Sequence, residues 1–170
     1  MEKKPTIDVI NPVFQSTKAR LFAGTSGLLK TSARKHAWAQ LVNPEESNVN
    51  LYVSFFALTN FSIKLVKADF VVNADPPGNR IESSEVSVLK LASKEKPIGK
   101  IFYNPTVTGT FCGGKIVGTR ALTPLTSHLG FRVDGRLIIE PGTNAMFFVY
   151  SETYAESQIE FEWFENDVIY

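Results

Sequence analysis

The feature that most constrains the fold is an alternation of apolar and polar residues, which recurs from about residue 50 to the end of the chain. In the segment 61–70, Phe61, Ile63 and Leu65 fall on one face, and the segment 157–164 alternates in the same way. Because successive side chains of a β-strand point to opposite faces, a period of two predicts strands with one buried face.

Turn residues separate these alternating segments. In the segment 50–58 the pattern puts Leu51, Val53 and Phe55 on one face. Asp134-Gly135 lies between two apolar runs, which is the strongest short signal for a two-residue hairpin. Further strands are predicted at 85–91, 100–103, 129–133, 136–140 and 145–150, with turns at 75–79 and 140–144.

The pattern predicts an all-β protein, an antiparallel β-sandwich or jelly roll of about eight to ten strands. Residues 1–35 alternate only weakly and are predicted to form a basic N-terminal arm or loosely packed segment, with an edge strand at 8–14 and the sandwich at 36–170. The alternative is that residues 1–35 supply the first strands of the sandwich.

Charge is segregated along the chain, although the net charge is only +1. That total argues against nucleic acid as a partner. The first 35 residues carry a net charge of +5 and residues 137–170 one of −7, which permits attraction within the molecule or between copies. Candidate self-association residues are the bases Lys3, Lys4, Lys18, Arg20, Lys30, Arg34 and Lys35 and the acids Glu156, Glu160, Glu162, Glu165 and Asp167.

Motifs that would indicate catalysis are incomplete. Residues 109–115 nearly match a phosphate-binding loop, but Ile116 replaces the required hydroxyl residue and the sequence after it disfavours a helix. The two histidines, His36 and His128, are too few for a typical catalytic zinc site, and the lone Cys112 excludes an intrachain disulfide. We therefore expect a non-enzymatic protein without catalytic residues, cofactor or metal.

Two sets of surface residues have alternative interpretations. Glu156, Glu160 and Glu162 share one face of the last strand, which indicates a solvated face that receives a basic partner or blocks edge pairing. Aromatic residues could instead stack on the sugar rings of a glycan, although core packing is the simpler explanation. The candidates for stacking are Trp38, Tyr103, Tyr150 and Tyr154.

The chain lacks a recognisable signal peptide and a membrane-spanning apolar run, so we expect synthesis in the cytoplasm and no membrane insertion. The sequon Asn60-Phe-Ser62 then has no expected use.

Over residues 48–165 the chain resembles an uncharacterised family of small β-rich proteins from spore-forming bacteria. The likeness rests on turn and core motifs in a fixed order, with Phe164 where a second Trp is expected. They are Asn50-Leu-Tyr-Val53, Thr59-Asn-Phe61, Pro76-Pro-Gly78, Gly113-Gly114, Asp134-Gly-Arg136, Leu137-Ile-Ile139, Pro141-Gly142 and Phe161-Glu-Trp-Phe-Glu165. The resemblance implies no catalytic residues.

Two hypotheses follow for function. The first is a structural subunit that assembles with other copies through its sandwich and its N-terminal arm, for which a spore surface or a mother-cell inclusion is a natural setting. The second is a carbohydrate- or ligand-binding β-sandwich module.

Overall fold

The computed structural model describes residues 12–129, 133 and 135–168, which form one short helix and thirteen strands. Eight of the strands have five or more residues, in agreement with the eight to ten predicted, and the other five have two or three. The elements are α1 (Pro12–Thr17), β1 (Leu21–Thr25), β2 (Leu29–Thr31), β3 (His36–Val42), β4 (Val49–Asn60), β5 (Val66–Asp75), β6 (Ile81–Glu82), β7 (Val86–Val88), β8 (Lys100–Val107), β9 (Cys112–Leu122), β10 (Ser127–Leu129), β11 (Leu137–Ile139), β12 (Asn144–Tyr150) and β13 (Ala155–Asp167).

The strands form two antiparallel sheets. In the first sheet β4 and β13 pair in the centre, and short strands extend both sides: β10 and β11 pair with β4, β1 and β2 pair with β13, and β7 pairs with β1. The second sheet has the order β6-β8-β3-β12-β5-β9. The predicted all-β sandwich class is confirmed.

The main core lies between the two sheets. Ile159, Phe161 and Trp163 of β13 point into it, as the alternation predicted, and all three are almost fully buried. From the second sheet Phe147 enters the same cluster, where its ring lies 4.7 Å from that of Phe56, centroid to centroid. Aromatic pairs at such distances add to the stabilisation from apolar burial.

A second apolar cluster covers the outer face of the second sheet. Trp38 and Met146 are fully buried there, and Phe148 nearly so. The segment that leads from β8 into β9 supplies Phe111, whose ring lies 5.3 Å from Phe148. Both faces of the central strands β3 and β12 are therefore buried, which explains their nearly continuous apolar sequences.

The predicted boundary of the N-terminal arm is wrong for residues 21–31. Leu21–Thr25 pairs with β13 on one side and β7 on the other, and Leu29–Thr31 also pairs with β13. Residues 12–14 belong to a helix, so the strand predicted at 8–14 fails there, and residues 1–11 lie outside the described residues. Leu21, Phe22 and Leu29 are buried, because their strands β1 and β2 pair with the central strand β13.

The hairpin predicted at Asp134-Gly135 is formed only as a turn. The amide of Arg136 donates to the carbonyl oxygen of Val133, at 2.8 Å, as in a tight turn, but the described strands on either side, β10 and β11, both pair with β4 and not with each other. The amide of Gly135 donates to the carbonyl oxygen of Val53, at a distance of 2.8 Å, while Asp134 lies outside the described residues. The long strand β4 thus pairs with both short strands along one edge.

Two further patterns are interrupted. The segment 61–65 forms an exposed loop, and β5 begins only at Val66. In β4 a bulge leaves Ser54 without a register partner in β13, so Phe56 takes the core position predicted for Phe55. An extra residue in one strand reverses the faces of all residues beyond it, which a strict period of two cannot foresee.

The Phe147→Ala variant should lose about 3–5 kcal/mol of unfolding free energy, because it opens a cavity in the main core. Phe61→Ala removes the same side chain from an exposed loop and should change stability by no more than about 0.5 kcal/mol. Urea unfolding followed by circular dichroism measures both. Equal losses for the two variants would contradict this assignment of the core.

Candidate functional site

The basic and acidic ends of the sequence are neighbours in the first sheet. Lys30 of β2 lies opposite Glu156 of β13 in the strand register. Beside β1, the side chain of Arg20 donates to that of Asn166, at 3.3 Å, and its backbone carbonyl accepts from the amide of Glu165. Part of the segregated charge is thus brought together within a single molecule.

The candidate basic residues within the described chain are all on the surface. The exposed set comprises Lys18, Arg20, Lys30, Arg34 and Lys35. Lys3 and Lys4 lie outside the described residues. The ammonium of Lys18 sits 5.5 Å from the centroid of the Phe14 ring, a cation–π contact within α1.

The acidic candidates have three different environments. Glu156, Glu160 and Glu162 are half-buried on the outer face of β13, and Asp167 is exposed. They cannot block edge pairing, since β13 is a central strand. The hydrogen bond from Tyr154 to Glu156 raises the pKa of that tyrosine.

Glu165 is buried and has a structural role in this fold. Its carboxylate accepts hydrogen bonds from the amides of Ile98 and Gly99, both at 2.9 Å, and from the indole of Trp163, at 3.0 Å. A Cβ at position 99 would lie 2.7 Å from Leu51, so only glycine allows the loop to approach this carboxylate. Glu165 therefore holds the loop before β8 against the core.

The four stacking candidates are also separated by the structure. Trp38 is buried, and its indole donates to the carbonyl of Pro77, so it offers no ring face to a ligand. Tyr103 is half-buried, with its ring packed against Gly27. Tyr150 is half-buried beside a cleft, and Tyr154 is 58% exposed on the following loop. Only the last two are positioned to meet a ligand.

That cleft has a volume of about 470 Å³ and lies at one end of the second sheet. Its lining comes from the beginnings of β3 and β5, the end of β12 and the adjoining loops. The lining residues are Ala33, His36, Lys64, Leu65, Lys67, Tyr150, Ser151, Glu152 and Thr153. A concave site of this size falls within the range of small-molecule sites, about 300–1,000 Å³.

Partly buried hydrogen bonds hold the loop that forms one wall of the cleft. The side-chain amide of Asn60 donates to the carbonyls of Lys64 and Thr123, while its oxygen accepts from the amide of Ser62. Ser151 donates to the carbonyl of Leu65, at 2.8 Å. The sequon asparagine is therefore buried, with its side chain hydrogen-bonded to this loop.

Tyr150 and His36 form the aromatic side of the cleft. The Tyr150 hydroxyl donates to Asp69, at 3.4 Å, and its pKa is raised by burial and by that carboxylate. His36 packs against the rings of Phe148 and Tyr150, and its Nδ1 is buried without a hydrogen-bond partner in the described structure.

Loops at this end also expose a group of apolar side chains, which we call the apolar loop cluster: Phe61, Ile63, Leu65, Leu125 and Tyr154. Backbone contacts hold the loops together, since Leu125 and Glu156 both donate to Ser62. Exposed apolar groups of this kind often mark an interaction surface.

A different open surface runs along the second sheet at β9. Among the described residues this eleven-residue strand pairs only with β5. Ile116 and Val117 are more than half exposed on it, and its charged residues are Lys115 and Arg120. Residues 112–122 form a strand where a phosphate-binding loop would require a helix, so the motif at 109–115 is not formed.

Other candidates for chemistry are not assembled. In the described part of the chain, no three or more His, Cys, Asp and Glu side chains lie close enough to share a metal ion. The only helix in the described part of the chain, α1, has six residues. No helix there is long and apolar enough to cross a membrane. The side chain of His128 and the whole of Asp134 lie outside the described structure.

Comparison with known families gives one match. The model of a family of unknown function, DUF6143, matches residues 1–170. The chain belongs to this family. Membership of an uncharacterised family is thus confirmed, and the match covers the N-terminal segment as well as residues 48–165. The curated proteins and the solved structures gave no match.

Glu165→Ala should destabilise the protein by about 2–4 kcal/mol, because three N–H donors, two of them buried, lose a charged acceptor. Glu160→Ala, on the half-buried outer face of the same strand, should cost less than about 1 kcal/mol. Thermal and urea unfolding of the two variants provide the measurement. A Glu165→Ala protein as stable as Glu160→Ala would mean that Glu165 does not hold the loop.

Proposed function

We propose that this DUF6143 protein is a non-enzymatic structural subunit that associates with other copies of itself through the edge of β9. The observation that carries the proposal is the free side of this eleven-residue strand in the described structure. An unpaired edge presents a row of backbone N–H and C=O groups that can pair with another strand. Exposed Ile116 and Val117 add apolar surface to the same edge.

Residues 6–10 of a neighbouring copy are the proposed occupant of this edge. Four of these five residues, in the sequence Thr6-Ile-Asp-Val-Ile10, are β-branched and so favour a strand. Their one charged residue, Asp8, complements Lys115 of β9. The eleven residues before Pro12 can span up to about 37 Å when extended, a length that would let them reach a neighbouring copy.

The mode of contact determines what is built. An N-terminal segment that docks on the next subunit uses two different surfaces, so the contact is heterologous and gives either a closed ring or a filament. Main-chain hydrogen bonds would supply the affinity and the alternating side chains the specificity. The resemblance to proteins of spore-forming bacteria makes a spore surface layer or a mother-cell inclusion the proposed setting.

A ligand-binding module is the second candidate, and the cleft beside Tyr150 is the observation that favours it. Its wall is held by partly buried hydrogen bonds, and Tyr154 follows on the next loop. The two functions are compatible, because the cleft residues and the β9 residues belong to different strands and loops.

Deletion of residues 2–11 should abolish association and leave a single chain in solution, because it removes the docking segment. Residues 21–31 must stay, since they are strands of the first sheet. Size-exclusion chromatography with light scattering gives the mass, and circular dichroism reports whether the β-structure persists. If the full-length protein is monomeric, the proposal is wrong; if the deleted protein associates as before, the N-terminal segment is not the occupant.

Lysine substitutions in β9 test the edge on which the N-terminal segment is proposed to dock. The double variant Ile116→Lys, Val117→Lys should weaken association at least tenfold, because charged side chains oppose pairing at an open edge. Leu91→Lys is the matched control, since Leu91 is 88% exposed in a loop away from β9. Sedimentation velocity over a concentration series measures both, and equal effects of the two variants would remove β9 from the interface.

A further inference from the structure

We propose that the cleft beside Tyr150 binds a hydroxylated carboxylate of sugar size, such as a uronic acid unit of an acidic glycan. This inference deepens the second candidate function and is independent of association through β9. It rests on the donors, charge and size of the cleft.

The charged residues that line the cleft favour a negatively charged ligand. Lys64 and Lys67 both line the cleft, and Glu152 is the acid among the lining residues. The Asp69 carboxylate, which faces Tyr150 from β5, accepts hydrogen bonds from Tyr150 and from Thr119, at 2.6 Å. The lining groups have a net charge of +1, and the Asp69 charge outside the lining is engaged by two hydroxyl donors, so the two lysines can meet a ligand with one negative charge.

His36 adds a directed donor. Its Nδ1 is buried and has no partner in the described structure. An N–H at that atom would be a buried donor without an acceptor, which is more costly than a buried lone pair. In the neutral ring the proton is therefore expected on Nε2, the other nitrogen of a residue that lines the cleft. Nε2 can then donate to a ligand oxygen.

The remaining lining residues suit a sugar ring better than a bare inorganic anion. Leu65, Ala33 and the ring of Tyr150 supply apolar surface, which the C–H faces of a pyranose can cover. Thr153 and Glu152 offer polar groups for ring hydroxyls. The volume of about 470 Å³ is far larger than a phosphate ion needs.

The test uses glucuronate and glucose, which share a ring and differ in the carboxylate, with inorganic phosphate as the third probe. Each is titrated into the ¹⁵N-labelled full-length protein at millimolar concentrations and followed by amide chemical shifts. We expect glucuronate to shift amides at 36, 64–67 and 150–153, and to bind at least tenfold more tightly than glucose or phosphate. Equal binding of glucose, binding of phosphate alone, or no localised shift would each overturn the proposal.

Variants link the binding to the cleft. Lys64→Ala and Lys67→Ala should each weaken glucuronate binding about tenfold or more, while Lys94→Ala, an exposed lysine on the loop before β8, should not. His36→Phe keeps an aromatic ring against Phe148 but removes Nε2, and should also weaken binding. None of these changes should alter the oligomer mass. A full-length protein that is monomeric and binds glucuronate would therefore overturn the proposed association through β9 and leave the cleft proposal standing. Unchanged affinity in both lysine variants would overturn the cleft assignment.

Discussion

The pairing of β4 with β13 is the contact on which the rest of the structure depends. These strands, twelve and thirteen residues long, meet over almost their whole length in the centre of the first sheet. Five short strands extend from this pair, and the core residues of β13 face the second sheet. Because β13 is also the last strand in sequence, the sandwich is closed by contacts between residues about a hundred positions apart. Pairing of residues so far apart in sequence folds slowly, because the entropy of closing the long intervening loop is lost before the contacts form.

Local patterns predicted the fold class and the buried face of β13, because the alternation of Ile159, Phe161 and Trp163 depends only on the sequence of that strand. They could not predict which strand pairs with which. Leu21–Thr25 carries only a weak pattern and becomes a strand because β13 and β7 flank it. Asp134-Gly135 has the composition of a hairpin turn, yet the described strands on either side of it, β10 and β11, both pair with β4. In each case the deciding hydrogen bonds come from residues distant in sequence.

The cleft shows the same division between local and distant information. The sequence singled out Tyr150 as an aromatic residue, but nothing in it linked Tyr150 to His36, Lys64 or Lys67, because these positions meet only when the ends of β3, β5 and β12 are aligned. The burial of Trp38, in contrast, had a usable signal. Both β3 and β12 are almost uninterrupted apolar runs, which are typical of strands buried on two faces. Reading those runs as two-sided would have removed Trp38 from the stacking candidates.

The placement of charge changes the physical basis expected for association. With Lys30 opposite Glu156 and Arg20 beside Asn166, part of the basic first fifth of the chain lies against the acidic last fifth within one molecule. Exposed charges in water contribute little pairwise energy. Long-range attraction between copies is therefore a weak basis for assembly. The edge of β9 offers a stronger one, because backbone hydrogen bonds and the apolar side chains of Ile116 and Val117 act at short range and are little screened by salt. The unpaired edge of β9 is thus a better physical basis for the proposed association than opposite charges at the two ends of the chain.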